Sequence, residues 1–165
     1  MSITIIIIEI AAMCILFAAA VLIPQALDPA LFVTDYPPEI QEEYYRSQKK
    51  ERERRRISVI LVLKKILTAL LLMFLFAWME HAAGAETYTD ALILSLIFIT
   101  VLTSWDTFFL DWVVFPRWKR LRLPGTEHME REYRQKLFHV KALLPVIPVF
   151  LAASLVIPLI MKAIW

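Results

Sequence analysis

Ile3-Thr4-Ile5-Ile6-Ile7-Ile8-Glu9-Ile10 opens a run that stays apolar through Val21-Leu22-Ile23. About 21 residues, carrying the single charge of Glu9, rise roughly 30 Å as a helix at 1.5 Å per residue, which matches the hydrocarbon core of a bilayer. A secretory leader would start with a positive stretch and end in a small-residue cleavage site. Met1-Ser2-Ile3-Thr4 has no Lys or Arg and Leu22-Ile23-Pro24 has no A-x-A pattern, so the run is expected to be retained.

Three more runs have the same character: residues 57–79 around Lys64-Lys65, residues 91–115 around Asp106 and Asp111, and residues 142–164 with Lys162 near the end. With 59% hydrophobic residues, a mean hydropathy of +0.62 and 2 glycines, the chain is more apolar than the 45–50% or so of ordinary soluble domains. Peptide groups in lipid have no water to bond, so runs of this length must be α-helices. The expected fold is therefore all-α: one integral membrane four-helix bundle over residues 1–165, with loops at 24–56 and 116–141 and a short turn around Gly84. Ala11-Ala12 and Ala18-Ala19-Ala20 in the first run and Ala152-Ala153-Ser154 in the fourth are small enough to bring those two helices together. Pro148 and Pro158 should bend the fourth.

Charge sets the orientation. The net charge of +2 conceals segregation: Arg46, Lys49, Lys50, Arg52, Arg54, Arg55 and Arg56 lie between the first and second runs. Arg117, Lys119, Arg120, Arg122, Arg131, Arg134, Lys136 and Lys141 lie between the third and fourth, and residues 80–90 carry none. The positive-inside rule then places both basic loops in the cytoplasm and both termini outside, in a cell membrane and, most simply, a bacterial inner membrane. Trp78, Tyr88, Trp112 and Trp118 fall near run ends, the headgroup level that aromatic rings prefer. The layout fits anionic headgroups rather than nucleic acid. Cys14 is the one cysteine, which excludes an internal disulfide and a cysteine-built zinc site.

The loops should be helical. Pro37-Pro38, then Glu39, Glu42 and Glu43, then a cationic end at Arg56, predict a helix that matches the macrodipole. Leu123-Pro124-Gly125 predicts a turn, with Thr126 capping a helix to about His139 whose face carries His128, Glu132, Gln135 and His139.

Charges inside apolar runs are costly and default to functional candidates. Asp111 continues a stripe of Thr100, Ser104 and Thr107, and Asp106 sits on a flanking face. Lys64 and Lys65 fall at a similar depth, so at least one Lys–Asp pair is expected. Glu9 and Lys162 form an expected outer pair, and Glu80-His81 a solvated helix end. Glu39, Glu127, His128, Glu132 and His139 are inner-interface candidates, and Asp111, Glu127 and His139 are candidate metal ligands. No HExxH, GxSxG, Walker loop or DxxD motif is present. Three function classes follow. The first is a structural or accessory protein that binds anionic lipid, a protein partner or a second copy at the cytoplasmic face. The second is a membrane enzyme or metal-binding protein at the inner interface, and the third a small oligomeric transporter. No cofactor is specified.

Asp111-Trp112, Arg122-Leu123-Pro124-Gly125-Thr126-Glu127, Tyr133 and His139 together resemble a pattern that recurs in small bacterial four-helix membrane proteins. The resemblance covers about a quarter of the chain. It implies no established activity, and it nominates Asp111, Glu127 and His139.

Overall fold

A computed structural model describes residues 1–49 and 59–165. The described residues are all-helical, with no strand among them. Four helical stretches are long and apolar enough to cross a membrane: Ile3–Leu27, Val62–Ala82, Tyr88–Arg117 and Lys136–Ile164. In chain order the helices are α1 (Ile3–Leu27), α2 (Pro38–Ser47), α3 (Val59–Ala82), α4 (Tyr88–Ser104), α5 (Phe115–Arg117), α6 (Lys136–Leu143) and α7 (Ile147–Ile164). A π-helical segment, Trp105–Val114, joins α4 to α5. The chain divides into two compact units, one made of Met1–Ala12, Arg54–Leu102 and Pro145–Trp165, the other of Met13–Glu53 and Thr103–Leu144.

In the first unit α3 and α7 make the most extensive packing between two elements. Phe76 meets Phe98 edge to face at 6.2 Å, among buried Ala77, Leu94, Ile157 and Met161. The turn after α3 forms where expected: Gly84 takes φ +81, and the amides of Gly84 and Ala85 donate to the carbonyls of His81 and Glu80. Glycine adopts this left-handed conformation at least cost, closing the helix C-terminus. α4 opens with a reciprocal cap, Asp90 N donating to Thr87 Oγ1 and Thr87 N to Asp90 Oδ2, each at 3.1 Å.

The second unit is built around Tyr36, Ile40, Tyr44, Leu123 and Tyr133, all buried. Tyr36 and Tyr133 meet edge to face at 5.8 Å. Gln25 Nε2 donates to the Tyr36 hydroxyl, which donates to the Leu121 carbonyl. Gln41 Nε2 donates to the carbonyl of Tyr36 at 2.7 Å. A network with each buried polar group bonded fixes a unique arrangement in a way that apolar contact alone does not.

Several expectations are corrected. The helix after Pro37-Pro38 stops at Ser47 with Lys49 in a left-handed conformation, φ +51; its expected extension, with Lys50, Arg52, Arg54, Arg55 and Arg56, lies outside the described residues. No single helix runs from Thr126 to His139. Thr126 Oγ1 donates instead to the Leu123 carbonyl and bonds the Tyr133 hydroxyl, and residues 132–134 form only a 3₁₀ turn before α6. A capping side chain spent on a buried network cannot start a helix, so the face of His128, Glu132, Gln135 and His139 is not formed. Pro148 falls in the first turn of α7, where a missing N–H costs nothing, and only Pro158 lies inside that helix. Ala11 and Ala12 are exposed and Ala153 is half-buried, so Ala11-Ala12 makes no buried small-residue seam.

Candidate functional site

The site is assembled by the π segment. Its closing bond runs from Phe115 N to Leu110 O, an i→i+5 step. The next residue, Pro116, is buried; in an α register its ring would press on the carbonyl four residues back, at Trp112, and a wider turn relieves that clash. Ring pairs line the segment at i,i+4: Trp105 stacks on Phe109 at 4.2 Å, and Phe108 meets Trp112 edge to face at 4.8 Å. The register has a consequence for charge. In an α-helix Asp106 and Asp111, five apart, would point about 140° from one another at roughly 100° per residue. An i→i+5 register brings residues five apart towards one side, and Asp106 lies within electrostatic reach of both Asp111 and His139.

α6 packs against this segment and carries the third group. His139 Nδ1 lies 3.0 Å from Asp111 Oδ2, and each side chain is only 17% exposed, so the pair is largely shielded from solvent screening. Lys136, at the start of α6, places its ammonium 5.0 Å from the centre of the Trp112 ring. The indole N–H groups of Trp105 and Trp112 are buried without an acceptor among the described residues. A carboxylate beside Nδ1 draws the imidazole proton to that nitrogen and leaves Nε2 with the lone pair in the neutral ring.

The connection from α5 to α6 supports the pair. Arg122 is buried, its guanidinium donating to the carbonyls of Glu127 at 2.7 Å and Pro116 at 3.3 Å while lying over the Tyr133 ring. Leu123 N donates to the Tyr133 hydroxyl at 2.9 Å. Burial pushes the phenols of both Tyr36 and Tyr133 above their usual range. Gly125 takes φ +85 with Ser47 directly against it; an added Cβ would lie 2.7 Å from Ser47 Cβ.

The remaining candidates are distributed as follows. Asp111 and His139 are brought together, but Glu127 is not with them: its Oε1 accepts from Gly125 N at 3.1 Å, because it closes the Leu123–Glu127 turn. Among the described residues no group of three or more His, Cys, Asp or Glu is placed to hold a metal ion. Glu39 and Glu132 line an open groove with Glu130, Arg131, Arg134 and Gln135, and His128 is exposed. Lys64 and Lys65 are exposed on α3, in the first unit, and both aspartates belong to the second.

Two expectations in the first unit are corrected. Glu9 and Lys162 do not pair: Lys162 Nζ donates to the Glu86 carbonyl at 3.2 Å, since α7 packs on α3 and ends beside its following turn, and Glu9 Oε2 has no partner among the described residues. Glu80 is no solvated end. It is fully buried and accepts from Ser95 Oγ, and His81 stacks on Trp165 at 4.9 Å.

Sequence reasoning missed Gln25, Tyr36 and Ser95, and it counted Arg122 only among the cations of the basic connection, where the residue is in fact buried. An isolated polar residue in or beside an apolar run was the available signal, but a bond such as that from the Tyr36 hydroxyl to the Leu121 carbonyl joins residues 85 apart, which no local pattern shows. No protein family matches the chain, and no match was found among curated proteins or solved structures.

Proposed function

We propose that this chain is a multi-pass membrane protein of the bacterial inner-membrane type, with both termini outside and its basic connections in the cytoplasm, that binds anionic phospholipid headgroups at its inner face. One observation carries the reading. Arg117, Trp118, Lys119 and Arg120 are four consecutive exposed residues at the end of a helix of membrane-spanning length, and the flanking Pro116, Leu121, Arg122 and Leu123 are all buried. Cations held on a fixed backbone at the end of a span meet phosphate at the interface, with the Trp ring at headgroup level. Arg117 and Arg120 each give one donor to a backbone carbonyl, of Val113 at 3.2 Å and Ala26 at 3.0 Å, and keep the other guanidinium donors for a ligand.

The test is native mass spectrometry of detergent-purified protein after exchange into mixed phosphatidylglycerol and phosphatidylcholine. The expected result is retained phosphatidylglycerol, lost in the triple variant Arg117→Gln, Lys119→Gln, Arg120→Gln. Equal retention of both lipids, or retention unchanged in the variant, overturns the reading. One observation favours a second reading, a membrane enzyme at the same interface: Asp111 orients the imidazole of His139.

A further inference from the structure

We propose that Asp111 and His139 form a general-base dyad that hydrolyses a carboxylic ester of an anionic phospholipid at the inner interface. The proposal rests on the lipid-binding reading above and adds a reaction to it.

His139 Nδ1 faces Asp111 Oδ2 at 3.0 Å, which fixes ring orientation and tautomer together. Nε2 has no hydrogen-bond partner among the described residues, and it is not one of the buried orphan atoms, so the basic nitrogen is open to a reactant. A carboxylate-held imidazole with an open Nε2 is the arrangement that proton abstraction from water requires.

The surroundings select the substrate. Lys136 stands three residues before His139 and over Trp112, the neighbour of Asp111, so a cation flanks the pair. The exposed Arg117, Lys119 and Arg120 follow the segment at its polar end. A phosphate held by these cations leaves the glycerol esters on the apolar side of it, towards the dyad. Among the described residues, Asp106 and Lys136 are charged groups near the pair.

The step balances without a co-reactant other than water. Nε2 takes a proton as the water oxygen bonds to the ester carbonyl carbon. The tetrahedral adduct then expels the glycerol oxygen, which receives that proton from the imidazolium, giving a fatty acid and a lysophospholipid. Asp111 is a positioning residue and His139 the catalytic one.

The experiment uses the full chain in nanodiscs of phosphatidylglycerol and phosphatidylcholine, with products and bound lipid both followed by mass spectrometry. Wild type is expected to release fatty acid and lysophosphatidylglycerol. His139→Gln should lower the rate by about 10²–10⁴-fold, the usual contribution of a general base. Asp111→Asn should lower it and displace its pH profile, with Asp111→Glu recovering part of both; phosphatidylglycerol should stay bound in all of them. Absence of product from wild type, or wild-type rates in His139→Gln, overturns the dyad. Phosphatidic acid or diacylglycerol as product overturns the carboxylic-ester assignment. Bound phosphatidylglycerol without turnover removes the dyad alone, whereas loss of both removes the lipid-binding reading as well.

Discussion

Tyr133 is buried beside Tyr36, Ile40, Tyr44 and Leu123, and its hydroxyl serves two neighbours, accepting from Leu123 N and bonding Thr126 Oγ1 at 2.6 Å. Tyr133→Phe keeps the ring and strands the Leu123 amide, a change worth about 1–3 kcal/mol for a buried unsatisfied donor. The expected outcome is a lower thermal midpoint in detergent; an unchanged midpoint would show that the network contributes no stability. The phenols also predict an alkaline transition. Both have folded pKa values raised by burial, so the unfolded chain ionises first, at about pH 10. Stability from these groups is full below that pH and falls as pH rises through and beyond it. Melting of wild type from pH 8 to 11 should show the loss, and Tyr36→Phe should reduce its slope. At Gly125 the left-handed backbone and the adjacent Ser47 both oppose a side chain, so Gly125→Ala should lower the midpoint more than a typical surface change.

Asp106 and Asp111 owe their shared surroundings to the register of one element. An α-helical reading of residues 91–115 places Asp111 on the stripe of Thr100, Ser104 and Thr107, but the α register ends at Ser104 and the stripe with it. Pro116 supplies the local cause, through its ring and its missing N–H. Pro116→Ala restores the donor and removes the clash, so the segment should relax towards α and carry Asp111 away from His139. The check is the imidazole nitrogen spectrum of His139, expected to move to that of an unpaired ring. Unchanged shifts would show that Pro116 does not hold the register. The same scale explains why the loop after α5 contains no long helix: Arg122, Thr126 and Tyr133 satisfy one another and the turn carbonyls, and the backbone follows them.

At the scale of the molecule, the proposed orientation makes a direct prediction. On a Cys14→Ser background, Arg120→Cys should react with an impermeant thiol reagent only after the membrane is opened, and Glu86→Cys should react in intact cells. Both residues are exposed, so accessibility in the protein does not limit either reaction. Labelling of Arg120→Cys from outside would reverse the orientation and remove the basis for an inner-face lipid site.

Four helices of membrane-crossing length were legible in the sequence because apolar length is a local property, read from consecutive residues such as Ile3 to Ile23 without knowing any neighbour. The Gly84 turn and the start of α2 at Pro38 were legible for the same reason, since φ restrictions belong to single residues. The partners of the charges were not. Lys162 reaching the Glu86 carbonyl, Ser95 bonding buried Glu80 and His139 facing Asp111 each join two different helical segments or turns, and depth along a helix says nothing about which face meets which. Only packing resolves that, because the cost of a buried charge is set by whatever group happens to lie within a few ångströms of it.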